Sequence, residues 1–470
     1  MSTVPFISSP TVDRDPSLPR VVGADQPVPL VTGEHVPQCN LDLAASAPAL
    51  VEVAEHVAEL LPYYASVHRG AGYASQVCTA LLEHARETVA RFVGARADED
   101  VVVFTRNTTD ALNLLARAVP GPVLHLDVEH HANLLPWEGT PHRVLRAADT
   151  LEQTLTELRA ALAAAPTALL TVTGASNVTG EVLPLTRIAE IAHAAGAGVG
   201  VDAAQLAPHR RVDLAATGVD YVAFSGHKLY APYGAGALVG RRDWLDRAPA
   251  HLAGGGAVRS VSIRADLTDE PVTGTTEVSW LPAPHRHEAG TPNLLGVAAL
   301  AAACRVLENV RDTAASHERD LLDRLTDGLT DLPGIRVLRI WPDSPDRLAV
   351  CSFIVDGYDS GLVAAYLSAE HGIAVRDGRF CAHPLVNRLT GDGRGAVRAS
   401  LGLCTRDSDV ERLLAALRAL TEHGPRWHYA RNDGRWAPVP DPRDIDPLRL
   451  GVTPTSSPGC GDQSRSAAAW

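Results

Sequence analysis

Short apolar runs alternate with amphipathic segments along the first 300 residues of the chain. The runs predict buried strands and lie at 101–104, 122–126, 168–173, 198–202, 221–224 and 235–239. Between them, apolar residues recur every three or four positions, as at 77–92, which predicts helices. The segment 185–195 lies between Pro184 and Gly196, common start and stop signals of a helix. Strands that alternate with helices favour an α/β fold with a mostly parallel sheet covered on both faces.

Four regions of different character follow one another along the chain. Residues 1–38 are rich in Pro, Val and Ser without a sustained period, which indicates an irregular arm. We expect a large domain over 39–300 and a smaller α/β domain over 301–423, connected by a long helix that begins near residue 296. The remainder, 424–470, is rich in Pro, Trp and Arg and is interpreted as a loosely structured extension.

The bulk composition excludes several classes of partner. A formal net charge of −13 disfavours nucleic acids and anionic membranes, because both select basic surfaces. No stretch is apolar enough to cross a membrane, and the first residues lack the pattern of a secretory signal. The seven cysteines are scattered without metal-ligand spacing, so we expect no metal site and a reducing, cytoplasmic location.

Lysine occurs once in this chain, at Lys228, among 42 basic residues. Arginine can supply positive charge at a surface or an ion pair, but its pKa above about 12 prevents it from condensing with an aldehyde. A single retained amine suggests nucleophilic amine chemistry. By itself it is equally compatible with chance in a lysine-poor chain, and its surroundings decide between the two interpretations.

The surroundings of Lys228 predict a pyridoxal-phosphate site. The amine follows an apolar strand in the sequence FSGHKL at 224–229, and Asp202 ends another apolar strand 26 residues earlier. Open α/β sheets bind ligands at the carboxyl ends of their strands. Pyridoxal phosphate needs a lysine for its aldehyde and an acid for its pyridine nitrogen, so that the ring can accept electrons from the substrate.

The motifs of the chain resemble those of a known family. They are LDLAA at 41–45, VHRG at 67–70, FTRNTT at 104–109, EHHAN at 129–133, SNVTG at 176–180 and EAGTPN at 288–293. From 41 to 420 the chain resembles the class V aminotransferases among the fold-type I pyridoxal-phosphate enzymes, and most of all the SufS-type cysteine desulfurases. The resemblance implies a large pyridoxal-phosphate-binding domain with a mostly parallel seven-stranded sheet and a smaller C-terminal α/β domain, to which the first part of 39–300 contributes.

The resemblance assigns cofactor-binding roles to residues of these motifs. Thr108 and Thr109 open a helix, whose free backbone N–H groups and dipole favour a phosphate, although each could be a plain helix cap. His130 would stack on the pyridine face. Asn177 and Gln205 would bond the ring hydroxyl and the imine, and Ser225 and His227 would bond the phosphate. Thr291 would reach the phosphate of a neighbouring subunit, which implies a homodimer with shared active sites.

Three further residues would act on the substrate, which the resemblance implies is cysteine or an S-substituted cysteine. Arg376 and Arg398 are candidates to hold its carboxylate, since a guanidinium binds a carboxylate through two parallel hydrogen bonds. Cys381 occupies the place of the nucleophilic cysteine of the desulfurases in VRDGRFCAHPL at 375–385. There Arg379 and His383 would help to lower its pKa.

Two departures from the desulfurase pattern leave the reaction open. Arg379-Phe380 replaces the two histidines usual before the cysteine, and the stretch 254–286, with its polar segment 265–270, is longer than usual. The first hypothesis is cleavage of a C–S bond, either by desulfuration through Cys381 or by β-elimination without it. The second is decarboxylation, deamination or epimerisation at the α-carbon of an S-cysteinyl or other amino acid in bacterial specialised metabolism. The third, a non-catalytic binding protein, is disfavoured because the cofactor residues are complete. A protein that accepts sulfur would be a further partner of a desulfurase.

Overall fold

Interleaved parts of the chain form two separate units of structure. In the computed structural model, which describes residues 17–266, 273–391, 393–432 and 434–451, one unit comprises Ala49–Ser176 and Val182–Asn309. We call it the sheet unit. The other, the arginine unit, comprises Met1–Pro48, Asn177–Glu181 and Val310–Trp470. The long helix Leu294–Thr330 contributes residues to both.

The sheet unit contains a sheet of seven strands. Their spatial order is Asp100–Thr105, Gly236–Arg241, Tyr221–Ser225, Gly198–Asp202, Leu169–Thr173, Val123–Leu126 and His142–Leu145. Only Gly236–Arg241 runs antiparallel to its neighbours. The prediction of a mostly parallel seven-stranded sheet is therefore confirmed.

Six of these strands correspond to the predicted apolar runs, and the seventh does not. His142–Leu145 lies at the edge of the sheet and is only partly buried, so its sequence HRVL can include a histidine and an arginine. An edge strand needs no continuous apolar run, which is why the hydrophobic pattern did not reveal it.

The helices of the sheet unit connect these strands and cover the sheet. They are Val51–Leu60, Tyr73–Phe92, Thr108–Ala118, His131–Leu134, Leu151–Ala164, Leu185–Ala194, Leu214–Thr217 and Arg242–Arg247. Single 3₁₀ turns lie at Leu61–Tyr63, Leu135–Gly139 and Gly226–Lys228. The predicted helices at 77–92 and 185–195 are confirmed, and the buried leucines of Thr108–Ala118 pack into a core with Trp137 and Tyr221.

A two-stranded ribbon extends from the sheet unit. Its strands, Val258–Asp266 and Thr273–Trp280, pair antiparallel, and most of their described side chains are exposed. It occupies the stretch that is longer than usual for the resembled enzymes. Of the polar segment 265–270, residues 267–270 lie outside the described residues.

The arginine unit is built on an antiparallel sheet with the order Ile335–Val337, Val350–Val355, Ala396–Ser400 and Arg376–Gly378. Its helices Ser360–His371, His383–Thr390 and Asp407–His423 join the C-terminal half of the long helix around a core rich in leucine. Cys39–Asn40 pairs parallel with Ile373–Ala374, and Pro27–Pro29 pairs with His35–Pro37. Residues 1–16 of the N-terminal arm lie outside the described residues.

The described part of the C-terminal extension is more ordered than its composition suggested. Tyr429–Asn432 and Arg435–Pro438 form an antiparallel hairpin. Glu370, on helix Ser360–His371, accepts hydrogen bonds from the backbone N–H of Trp427 at 3.0 Å and from the Tyr429 hydroxyl at 3.1 Å. Because aromatic rings bury large apolar areas, this tail packs on the unit instead of remaining loose. Residues 433 and 452–470 lie outside the description.

Helices that could span a membrane were sought among the described residues. None of them is both long and apolar enough to do so.

A buried ion pair fixes the segment that leads to Thr291. Both carboxylate oxygens of Glu288 accept hydrogen bonds from Arg86, at 2.8 and 2.9 Å, and Oε1 also accepts one from the Phe104 N–H at 2.6 Å. The guanidinium lies 4.8 Å from the centre of the Phe104 ring. The two charged side chains are only 12% and 8% exposed, so neither can turn to water.

We predict that Glu288→Gln lowers the free energy of unfolding by about 2 kcal/mol, because it removes the buried counter-ion of Arg86 and leaves only the exposed Glu83 carboxylate, 3.2 Å from Nε. The amide oxygen can still accept from Phe104, so the loss measures the missing charge. Urea denaturation followed by circular dichroism gives the value. Glu87→Gln, at an exposed position on the Arg86 helix, is the matched control; equal stability of the two variants would contradict the prediction.

Candidate active site

In the sheet unit, several polar groups surround the first turn of helix Thr108–Ala118. The Thr108 N–H donates to the Ser225 hydroxyl at 2.7 Å, and the two hydroxyl oxygens lie 2.6 Å apart. Both side chains are buried, whereas Thr109 is exposed. Asn107 caps the helix by accepting from the Asp110 N–H at 3.0 Å. Hydroxyls and backbone N–H groups at a helix N-terminus are suited to an anion.

Asp110 holds this turn in place. Its carboxylate accepts from the Arg106 backbone and side chain at 3.0–3.2 Å, and it lies 2.9 Å from Nε2 of His251. Although burial raises its pKa, the hydrogen bonds from His251 and Arg106 outweigh burial and hold the pKa well below the usual range. Asp110 therefore stays ionised and keeps its hydrogen bonds to the residues around this turn.

Asp202 and Lys228 follow adjacent parallel strands, at the same edge of the sheet. Asp202 ends Gly198–Asp202, and Lys228 ends the 3₁₀ turn that continues Tyr221–Ser225. The carboxyl of Asp202 is buried and accepts from the Ala204 N–H at 3.0 Å. Burial raises its pKa, and the positive charge of Lys228 opposes that rise. Lys228 is half-buried.

His130 and Glu129 follow strand Val123–Leu126 at this same edge. His130 is the N-cap of helix His131–Leu134, because its Nδ1 accepts a hydrogen bond from the Ala132 N–H at 3.0 Å. Glu129 is fully buried, and its Oε2 accepts from the Asn133 amide at 2.7 Å. Burial raises the pKa of Glu129 to about 8, so this carboxyl is protonated at neutral pH. Glu129 could not be recognised as a site residue from the sequence, because a residue type does not reveal its burial.

The other predicted cofactor residues of the sheet unit differ in exposure. Gln205 is buried, His227 is half-buried and Thr291 is exposed. Burial, and next the charge of Lys228, lowers the pKa of His227, so this imidazole is neutral at neutral pH.

In the arginine unit, Cys381 lies in a strained turn. Phe380 and Cys381 both have left-handed backbone conformations, with φ of 51° and 53°. Such a conformation costs a residue other than glycine about 1 kcal/mol, so two in succession require support. The Asn177 amide donates to the Phe380 carbonyl at 2.8 Å, and the Ala382 N–H donates to the Arg379 carbonyl. The thiol of Cys381 is half-buried.

Arg398 is buried beside this turn. It is 3% exposed, its Nη1 donates to the Asn177 carbonyl at 3.0 Å, and its guanidinium lies 5.2 Å from the centre of the Phe380 ring. Burial lowers its pKa, and Asp42, 3.1 Å from Nη2, is the main opposing influence; Cys381 opposes it as well. Arg379 donates to the Gly393 carbonyl at 3.3 Å.

The neighbouring strand places Arg376 close to Asp42, at 3.7 Å, with its side chain 54% exposed. The structure therefore brings Arg376, Arg398 and Asp42 together. Asp42 lies within the motif at 41–45, but no role could be assigned to it from the sequence. Within the described part of the chain, no group of three or more His, Cys, Asp or Glu side chains is arranged to hold a metal ion.

Comparison with known proteins agrees with this arrangement. The family model of aminotransferase class-V matches residues 39–413. The chain belongs to the aminotransferase class-V family. A cysteine desulfurase of Dickeya dadantii is 36% identical over 411 residues, which cover 84% of this chain and 95% of the relative.

Two solved structures are similar to this chain, and the predicted family is confirmed. The apo cysteine desulfurase of Thermococcus onnurineus has a TM-score of 0.72 and 32% identity, over 82% of this chain and 94% of its own. The cysteine desulfurase CsdA of Escherichia coli has a TM-score of 0.69 and 33% identity, over 82% and 95%. The family depends on pyridoxal phosphate, and this protein is a pyridoxal-phosphate-dependent enzyme.

The residues of the sheet unit fit this cofactor. Asp202 supplies a buried carboxyl for a protonated pyridine nitrogen, Lys228 supplies the only amine side chain, and the Thr108 turn supplies hydroxyls at a helix N-terminus. Gly236 allows close packing at the turn, because a Cβ there would lie 2.8 Å from the Asn107 Cα. The assignment of each residue to a cofactor atom stays a prediction.

We predict that Ser225→Ala weakens the binding of pyridoxal phosphate to the apoprotein by about tenfold, the worth of one hydrogen bond to a charged group. Quenching of tryptophan fluorescence during titration with the cofactor measures the dissociation constant. Ser262→Ala, at an exposed position on the ribbon, is the control. An unchanged constant for Ser225→Ala would exclude the hydroxyl from phosphate binding.

Proposed function

We propose that this enzyme cleaves the C–S bond of cysteine or of an S-substituted cysteine, with Lys228 as the residue that carries the cofactor. The observation that carries the proposal is the strained turn that presents Cys381 in the same unit as Arg398. The similarity to proteins named cysteine desulfurases, at 32–36% identity over most of the chain, supports it.

When bound, pyridoxal phosphate supplies an aldehyde for amines and a ring that accepts the electrons released at the substrate α-carbon. Asp202 would keep a proton on the ring nitrogen, because an adjacent positive charge stabilises its own buried negative charge. Lys228 would hold the cofactor through its amine, and the same amine would move the proton at the substrate α-carbon. His130 would stack on the ring, and Asn177 and Gln205 would bond its hydroxyl.

When the substrate is free cysteine, Cys381 acts on the sulfur of that cysteine. Its thiolate attacks that sulfur, so that a sulfur–sulfur bond forms while the bond between the sulfur and the β-carbon breaks. The electron pair stays on the carbon side, which takes up protons and leaves as alanine, and Cys381 retains a persulfide. Arg398 holds the substrate carboxylate, and its positive charge favours the thiolate over the thiol.

The proposal includes two partners of the enzyme, a second subunit and a protein that accepts sulfur. Thr291 is exposed on its own protomer, which supports its predicted role at the phosphate of a second subunit in a homodimer. A persulfide requires an acceptor, which we propose is a thiol of another protein. No disulfide joins the six described cysteines, which supports the cytoplasm as the location.

We predict that the purified holoenzyme releases alanine from L-cysteine in the presence of a thiol reductant, with sulfide in equal amount. Cys381→Ala should lower this rate at least about a hundredfold, because the nucleophile is lost. Products are quantified by chromatography and by a sulfide assay. The conservative control is Cys404→Ala, a half-buried cysteine of the same unit.

Other products would redirect the assignment. Pyruvate and ammonia from an S-alkylcysteine, with Cys381→Ala fully active, would replace desulfuration by β-elimination. Carbon dioxide, or ammonia without loss of sulfur, would contradict C–S cleavage and favour chemistry at the α-carbon.

A further inference from the structure

Arg376 and Arg398 lie directly opposite each other in the sheet of the arginine unit. The antiparallel register pairs them across the strands Arg376–Gly378 and Ala396–Ser400. Like charges in directly opposed positions repel and destabilise a sheet. The pair therefore requires an anion, and Asp42 is that anion: Oδ1 lies 3.1 Å from Nη2 of Arg398, and Oδ2 lies 3.7 Å from Nη1 of Arg376.

Backbone hydrogen bonds hold Asp42 in this position. The Ser400 N–H donates to the Leu41 carbonyl at 2.7 Å, and the Ala44 N–H donates to the Ser400 hydroxyl at 2.9 Å. The Asp42 N–H donates to the Asn40 side chain at 3.1 Å. The loop on both sides of Asp42 is thus attached to the end of the strand that carries Arg398. This carboxylate is a fixed part of the site, with only 22% of its side chain exposed.

One nitrogen of the Arg398 guanidinium makes no hydrogen bond within the described residues. Its Nη1 and Nη2 donate to Asn177 and Asp42, and the Phe380 ring lies beside it. Its Nε is buried and has no hydrogen-bond partner among the described residues. A buried donor without an acceptor is costly, so this nitrogen is suited to an acceptor from a ligand. The three charged groups sum to one positive charge, which matches one carboxylate.

We propose that Asp42 is a specificity-determining residue, which offsets one of the two arginine charges. The site then accepts amino acids with a single carboxylate and disfavours those with a second acidic group. The inference rests on the proposed function only in taking an amino acid as the ligand. Nothing in it depends on which bond of that amino acid is broken.

Binding of two amino acids without sulfur tests the inference. L-Alanine and L-aspartate are titrated into the holoenzyme, and the change in cofactor absorbance gives both dissociation constants. In Asp42→Asn, with its extra net positive charge, we expect the ratio of the aspartate constant to the alanine constant to fall about tenfold. Asp331→Asn, an exposed position beyond the long helix, should leave the ratio unchanged.

A charge-restoring variant separates specificity from structure. In Asp42→Asn combined with Arg376→Gln the net charge returns to its original value, so the ratio should return to within about twofold of the original. Arg376→Gln alone should raise the ratio, and it remains informative if Asp42→Asn fails to fold. An unchanged ratio in Asp42→Asn, or one that Arg376→Gln does not restore, would overturn the inference. Since neither ligand can undergo C–S cleavage, this result is independent of whether the wild-type enzyme desulfurates cysteine.

Discussion

A buried carboxylate at the end of a central strand requires a positive partner, and the sheet unit is organised around this requirement. Asp202 is almost inaccessible to water, and one backbone N–H does not compensate for the burial of its charge. The adjacent strand brings Lys228 to the same edge of the sheet. The neighbouring acid, Glu129, has a pKa of about 8 and is neutral at pH 7, so it does not compete for that partner. A protonated pyridine ring beside Asp202 would satisfy the same need.

The arginine unit also requires charge compensation, but there the groups that need a partner are positive. Two opposed guanidinium groups need an anion, and Asp42 supplies it from a loop that is attached to the strand of Arg398. The strained turn at Phe380 and Cys381 depends on the same group, because Arg398 lies beside the Phe380 ring and bonds the carbonyl of Asn177, whose amide holds the turn. The same group of residues therefore compensates the arginine charges and supports the turn.

Part of this site could be predicted from the sequence and part could not. Apolar runs locate strands, and a polar residue at the end of a run marks the ligand-binding edge, so Lys228 and Asp202 could be proposed as site residues without coordinates. The family, the cofactor and the seven-stranded sheet were predicted from the motifs and are confirmed. The pairing of Arg376 with Arg398 depends on strand register, which a sequence does not reveal. The neutral state of Glu129 depends on burial, and the edge strand His142–Leu145 lacks an apolar run.

We expect Lys228 to carry the cofactor, and chemical reduction of the holoenzyme is a direct test of this assignment. The holoenzyme is treated with borohydride and digested, and the peptides are analysed by mass spectrometry. We predict one pyridoxyl group, on the peptide that contains Lys228, and none after Lys228→Ala. A pyridoxyl group on another peptide, or none in the wild-type protein, would contradict it.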